Sequence, residues 1–467
     1  MSRATNRSSH ASESRGRSSG RSRGRRLDVT TALAVLLPLL TAGTLLAVRP
    51  DEATPAARTP AATPLTRSVA ICPGGGSEVA LTSGTDAAGT TSYDLGGREG
   101  EADVEPGSVA TVSGDGPFVA RTEGDLAAGL VAGRFDTPLA AAECRAPSPD
   151  LWFTGVGAGA RHRSVLELVN PDAGPAVVDA TLYGVSGVVD APELRGVAVP
   201  ARGVVRLPLA EIVPRVDELA LHVTTSRGRV AASIHDRQQE LGTGGEAEDW
   251  LPAQAEPATS NLLLGTVTGS GARNLVLLNP GEDETRATIR LVSPDAVFSP
   301  AGLEEVVLAP QSVTRVSLGE VLTAADVKGV TGLLVDAPAP ITATLRSYVG
   351  RDLSHAVAGT PVSAATTVLA PPGDKRLELA GADASGRVAV VARAADGEVL
   401  ADKTVKVRAG RGFTVRVPRA TAVLTVTPTG TGIIGALVAN DGAKVAVVRL
   451  RQLVTSGLVA DVRPGLP

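Results

Sequence analysis

VLELVNPDAG (165–174) and LVLLNPGED (275–283) are two copies of one phrase, a largely apolar run closed by Asn-Pro. Asn170-Pro171 and Asn279-Pro280 stand 109 residues apart. Proline cannot donate to a β-ladder and pushes the preceding residue toward extended geometry, so the pair ends a strand and opens a turn. It reads as structural, not catalytic. Further on, RGVVRLPLAEIV (202–213) matches QSVTRVSLGEVL (311–322), with Glu211 and Glu320 again 109 apart. A closing strand–turn–strand follows in each copy, VTTSRGRVAASIHDR (223–237) and LVDAPAPITATLRSY (334–348). The same pattern stands earlier as VARTEGDLAAGLVAGR (119–134) and later as LVANDGAKVAVVRLR (437–451). With Gly124, Gly228, Pro338 and Gly442 as turn markers, the steps are 104, 110 and 104 residues. A near-constant period means one supersecondary solution used repeatedly.

Short β-branched runs with alternating apolar and polar positions, such as VTRVSL (313–318) and ITATL (341–345), read as strands with one wet face. No helical apolar stripe competes with them after residue 68. The expected fold is therefore all-β, with about four tandem immunoglobulin-like β-sandwich modules at 68–147, 151–238, 259–349 and 373–456. Linkers are expected at 239–258 and 350–372 and a tail at 457–467. Together these predict a Pro-jointed rod.

Upstream, VTTALAVLLPLLTAGTLLAV (29–48) holds no charged residue. A helix of that length reaches roughly 30 Å, the thickness of a bilayer's hydrocarbon core. The pattern predicts a single transmembrane helix over 27–48, which tolerates Pro38, between a disordered basic arm at 1–26 and a Pro/Ala/Thr stalk at 49–67. The arm carries eight arginines against Glu13, so the positive-inside rule places the N-terminus in the cytoplasm and the rest outside the cell. A cleaved signal peptide is the rival reading. The apolar run is longer than the usual signal core, and no small-x-small pair follows Val48, which favours an uncleaved anchor.

The whole chain has a net charge of −4, which leaves −11 for everything after the basic arm. Such a balance argues against nucleic acid as a partner, because affinity there comes from neutralising phosphates. Cys72 and Cys144 are the two cysteines and both fall in the first module, so an oxidising compartment predicts a structural disulfide between them.

Catalytic patterns do not converge. GVGAGA (155–160) and GTVTGSGAR (265–273) lead into strands, not helices, and read as hairpin loops. His162, His222, His235 and His355 are scattered singly, without metal-ligand spacing. The acidic runs 246–249 and 282–284 lack the alternation of a calcium loop. No catalytic, cofactor-binding or metal-ligating residue is therefore assigned, and no cofactor is expected. Trp152-Phe153 is expected in a core, and Trp250, within the expected linker, as a plug between modules.

The order of basic arm, apolar segment, Pro/Ala stalk, CPGG (72–75), a second cysteine ahead of LWFTGVG (151–157) and repeated Asn-Pro strands resembles the actinobacterial membrane-anchored family called domain of unknown function 5719. The resemblance implies a cell-envelope protein without assigned activity, encoded near glycosyltransferases. No functional residue carries over from it. The expected function is a non-enzymatic, single-pass, membrane-anchored extracellular scaffold or binding protein, with the membrane and envelope proteins or glycans as partners. The alternative is an auxiliary factor, or a cryptic hydrolase, in surface polysaccharide or peptidoglycan assembly.

Overall fold

Asn170 and Asn279 each close a strand by the same set of bonds. The computed structural model describes residues 29–47, 61–76, 78–136, 139–239, 245–303, 305–323 and 329–459. In it the Asn170 amide donates to the carbonyls of Gly174, Val199 and Pro200, and its Oδ1 accepts from Asp172 N. Asn279 donates to Asp283, Leu308 and Ala309 and accepts from Gly281 N. Every partner is displaced by the same 109 residues. Arg202 and Gln311, also 109 apart, share a positive φ of 50° and 48°. The buried asparagine thus pins its turn to the end of a distant strand, which is why the pair recurs.

Among the described residues, eight strands recur in each of four modules. Numbered within a module in chain order, they form one sheet of order 1-6-3-4 and a second of order 5-2-7-8. The fourth strand is split in the second and third modules, and in the third one long strand, Gly332–Val349, serves as both sixth and seventh. Each pair of sheets encloses its own core: Leu81 and Phe118 in the first module, Leu166 and Leu221 in the second, Leu277 and Val335 in the third, Leu377 and Leu424 in the fourth. The all-β sandwich reading holds. The immunoglobulin order does not, since that fold sets its first strand beside the second and its seventh beside the sixth. Here the first pairs with the sixth and the seventh with the second. Alternation along a strand says which face is wet, not which strand lies alongside.

The expected linkers are largely strands. Glu246–Leu251, inside the 239–258 linker, is the eighth strand of the second module and pairs with Ala231–Gln239. Within 350–372, Asp352–Val357 is the eighth strand of the third module, and Thr366–Leu369 is the first of the fourth. The turn marker Gly442 also belongs elsewhere. It joins the seventh and eighth strands, whereas Gly124, Gly228 and Pro338 join the sixth and seventh; the fourth-module equivalent is near Gly430. Two hairpins in succession carry the same apolar alternation, and the sequence does not separate them.

These eighth strands organise the molecule. Ala140–Glu143 touches Glu246–Leu251, which touches Asp352–Val357, which touches Lys444–Arg449, which returns to Ala140–Glu143. Small apolar clusters seal each junction: Ile71 with Val169, Trp152 with Val276, Leu264 with Val447, and Ala141 with Ala446. Residues 62–459 are therefore one compact unit in which the modules close on themselves, not a rod. Cys72 and Cys144 form the expected disulfide.

Outside that unit is the helix Val29–Ala47, with Pro38 inside it. The hydroxyls of Thr41 and Thr44 bond the carbonyls four residues back, and Leu36, Leu39 and Leu40 are 57–65% exposed. The side chains of Thr31, Leu45 and Leu46 are not among the described ones, and over the described residues no helix is long and apolar enough to cross a membrane. The span expected over 27–48 is not supported on that count. The basic arm at 1–26 and the stalk up to residue 60 lie outside the described residues. The stalk's last residues are partly strand, Ala61–Pro64, paired with Ser456–Val459 of the expected tail.

Candidate functional site

Charged side chains concentrate where the modules meet. On the second module, Asp236 and Asp249 face each other across adjacent strands. Like charges so placed repel. His355, on the eighth strand of the third module, stands between them, with Nε2 3.0 Å from Asp236 and Nδ1 3.2 Å from Asp249. All three are buried. Burial alone would push the His355 imidazole down, but its bonds to Asp236 and Asp249 outweigh that and hold it up at about 9. Burial likewise favours protonation of Asp236, yet the charge and hydrogen bonds of His162 and His355 bring its carboxyl well below the usual range. Asp249, left with the weaker share, is pushed up by burial to about 6, with His355 opposing. At neutral pH a cationic imidazole thus bridges two modules.

His162 adds a second imidazole to Asp236 at 2.9 Å, and the Ser164 hydroxyl donates to the same carboxylate at 2.5 Å. The residue types are those of a hydrolytic triad; the connectivity is not. In a triad the histidine takes the serine proton, and the carboxylate orients the histidine from behind. Here serine and both histidines all point at the aspartate, and Ser164 is 1% exposed. This arrangement holds modules together and presents no nucleophile to solvent.

The same junction carries a further ion pair, and other junctions repeat the theme. Arg346 of the third module grips Glu218 of the second through both guanidinium nitrogens, at 2.6 and 3.3 Å, and donates to Gly155 O. Lys444 reaches Asp352 at 2.9 Å between the fourth and third modules. Trp250 donates from its indole to Asp136 of the first module and packs on Ala140 and Ala142, the plug expected of it. Trp152 lies at a junction, stacked on His222 at 3.6 Å, while its neighbour Phe153 takes the core position. The glycine loops have a packing role. The Gly74 and Gly265 amides donate to Glu167 and Glu378 on the next module's second strand, while Gly155 sits against Val276 there. Among the described residues, no group of three or more His, Cys, Asp or Glu is placed to hold a metal ion.

A cavity of about 640 Å³ opens between the first and fourth modules, within the range that accepts a small ligand. Val69, Leu130, Val131, Leu369, Val448 and Leu453 give it apolar walls. At one side stands Glu143, bonded by Arg145 and by both Nε and Nη2 of Arg449. Arg451 is 3.9 Å away. Burial would raise the Glu143 carboxyl, and Arg145 and Arg449 hold it well below the usual range. Burial presses Arg145 down to about 9 despite Glu143.

Sequence reading reached Cys72, Cys144 and the Trp250 plug, but not the histidine–aspartate cluster or the cavity. His162 and His355 are 193 residues apart and meet only through Asp236. One signal was available: Asp249 sits in a strand whose buried face reads Ala247, Asp249, Leu251. A charge in that position needs a partner.

The sequence profile described as Family of unknown function (DUF5719) matches residues 99–418. No curated protein matches the chain.

Proposed function

Because the chain belongs to that family of unknown function, whose description carries no activity, we propose from its own geometry that it is a non-enzymatic scaffold or binding protein of the bacterial cell envelope. One observation carries this reading: ion pairs or charge-assisted bonds sealed into the module junctions fuse four sandwiches into one fixed body. A body so fused presents constant surfaces and clefts, and Ser164, bonded to a histidine-bearing carboxylate, is closed to solvent. The disulfide fits an oxidising compartment. What supports attachment to the cell membrane as a single-pass anchor, N-terminus in the cytoplasm and the modules outside, is the sequence pattern of an uncharged segment at 29–48 behind eight arginines. The many Ala, Gly and Arg fit an actinobacterial source.

An auxiliary role in surface polysaccharide or peptidoglycan assembly is the second reading, favoured by the arginine-bearing cavity. Crosslinking in native membranes followed by pull-down separates the two. Recovery of envelope proteins supports the scaffold; recovery of glycan carriers supports the auxiliary role. A reporter active only outside the cytoplasm should work when fused after Pro467 and fail when fused at Ser19. The opposite pattern overturns the orientation.

A further inference from the structure

The cavity between the first and fourth modules has a charge that its surroundings do not. The chain after its basic arm has a formal charge of −11, yet the cavity lining includes six arginines against Glu123, Glu143 and Asp172. Some of these arginines are neutralised: Arg229 forks onto Asp172 at 2.6 and 2.9 Å, and Arg67 pairs with Glu123. Glu143 is different, because it is the one carboxylate for Arg145, Arg449 and Arg451, an excess of two positive charges in one corner. Arg145 and Arg449 also donate to the Ala253 carbonyl. Arg451 stands too far from Glu143 for a hydrogen bond, its guanidinium donates none among the described residues, and its side chain is 46% exposed. The guanidinium of Arg121, which also lines the cavity, donates to the Pro171 carbonyl and to no other acceptor among the described residues.

A corner with two surplus guanidinium charges matches a dianionic phosphate monoester, which arginine recognises in a bidentate fork. The lining also includes the apolar side chains of Val69, Leu130, Leu369 and Leu453. They give an attached chain a place to leave water, which a bare phosphate would not use. At about 640 Å³ the space equals roughly twenty water molecules at liquid density, enough for a head group and a short hydrocarbon.

We propose that this cavity binds a single-chain amphiphile with a phosphate monoester head, the head on Arg451 and Arg145 and the chain along the Leu130–Leu369 wall. The proposal deepens the binding reading above and rests on it. Glu143 is the organiser: it holds Arg145 and Arg449 in place while leaving Arg451 to the ligand.

The test uses the full chain in nanodiscs of a neutral phospholipid, titrated calorimetrically with octyl phosphate, inorganic phosphate and octyl glucoside, with empty discs as the partition control. Octyl phosphate should bind saturably at one site per chain. Inorganic phosphate and octyl glucoside should each bind at least tenfold more weakly. Arg451→Gln should weaken octyl phosphate at least tenfold with an unchanged melting temperature, and Val454→Trp, at the exposed rim, should do so by obstruction without altering charge. The proposal is overturned by the absence of saturable binding, by equal affinity for inorganic phosphate or the glucoside, or by a stable Arg451→Gln variant that binds normally. The two readings fail separately. Octyl phosphate binding together with a cytoplasmic reporter result removes the envelope reading alone; no binding with an external reporter removes this site alone.

Discussion

Replacing His355 by glutamine removes the cation between Asp236 and Asp249 while keeping a side chain able to donate one hydrogen bond. The imidazole is held at about 9 against an ordinary 6.5. Each unit is worth about 1.36 kcal/mol, so the charge contributes on the order of 3 kcal/mol to the stability of the folded unit. Because the folded-state value is raised, that contribution is complete below pH 6.5, where folded and unfolded chains are both protonated. It is lost as pH rises from 6.5 through about 9, where the unfolded chain has released a proton that the folded one keeps. Lys375 acts in the opposite direction: burial lowers it to about 8 from 10.5, so its penalty fades as pH rises through that interval. A comparison of wild type with His355→Gln cancels that background. Urea unfolding midpoints at pH 6.5 and 9.5 give the readout. The two proteins should differ widely at pH 6.5, the gap corresponding to roughly 3 kcal/mol, and nearly converge at pH 9.5. A gap that is the same at both values would refute the cationic bridge.

Three further outcomes follow from the junctions and turns. Asn170→Ala and Asn279→Ala should each cost roughly 2–4 kcal/mol, and by similar amounts, because each deletes three side-chain bonds to carbonyls and one from a backbone N–H; thermal unfolding of the two variants side by side checks this. A double-mutant cycle on Arg346→Met and Glu218→Gln should show coupling of about 3 kcal/mol or more, since breaking one side of a buried pair leaves the other charge unpaired. Cys72→Ser with Cys144→Ser opens a loop of 72 residues and should lower stability by about 4 kcal/mol in the chain-entropy view, with mass analysis of unreduced wild type finding the two joined.

The strands, the 109-residue period and the disulfide were legible because each leaves a local mark: alternation, Asn-Pro, or a lone cysteine pair. The eighth strand of the second module was not, because its buried face carries an alanine and an aspartate where a reader looks for valine. Its sense depends on His355, more than a hundred residues away. The sheet order escaped for a related reason, since alternation is identical whichever neighbour a strand takes. The step from rod to ring rests on small residues, Ala141 against Ala446 and Ala439, which allow close approach without announcing an interface. The cavity corner was invisible because Glu143, Arg145, Arg449 and Arg451 come from opposite ends of the repeat array.

Closure of the four modules underlies the fused junctions, the cavity and the binding role alike. Small-angle X-ray scattering on residues 62–459 measures it directly. A closed unit of that length should have a radius of gyration of about 21 Å, whereas four modules of roughly 13 Å each set end to end would give about 40 Å. A value near the smaller figure is expected, and one near the larger would contradict the closed arrangement and, with it, the site between the first and fourth modules.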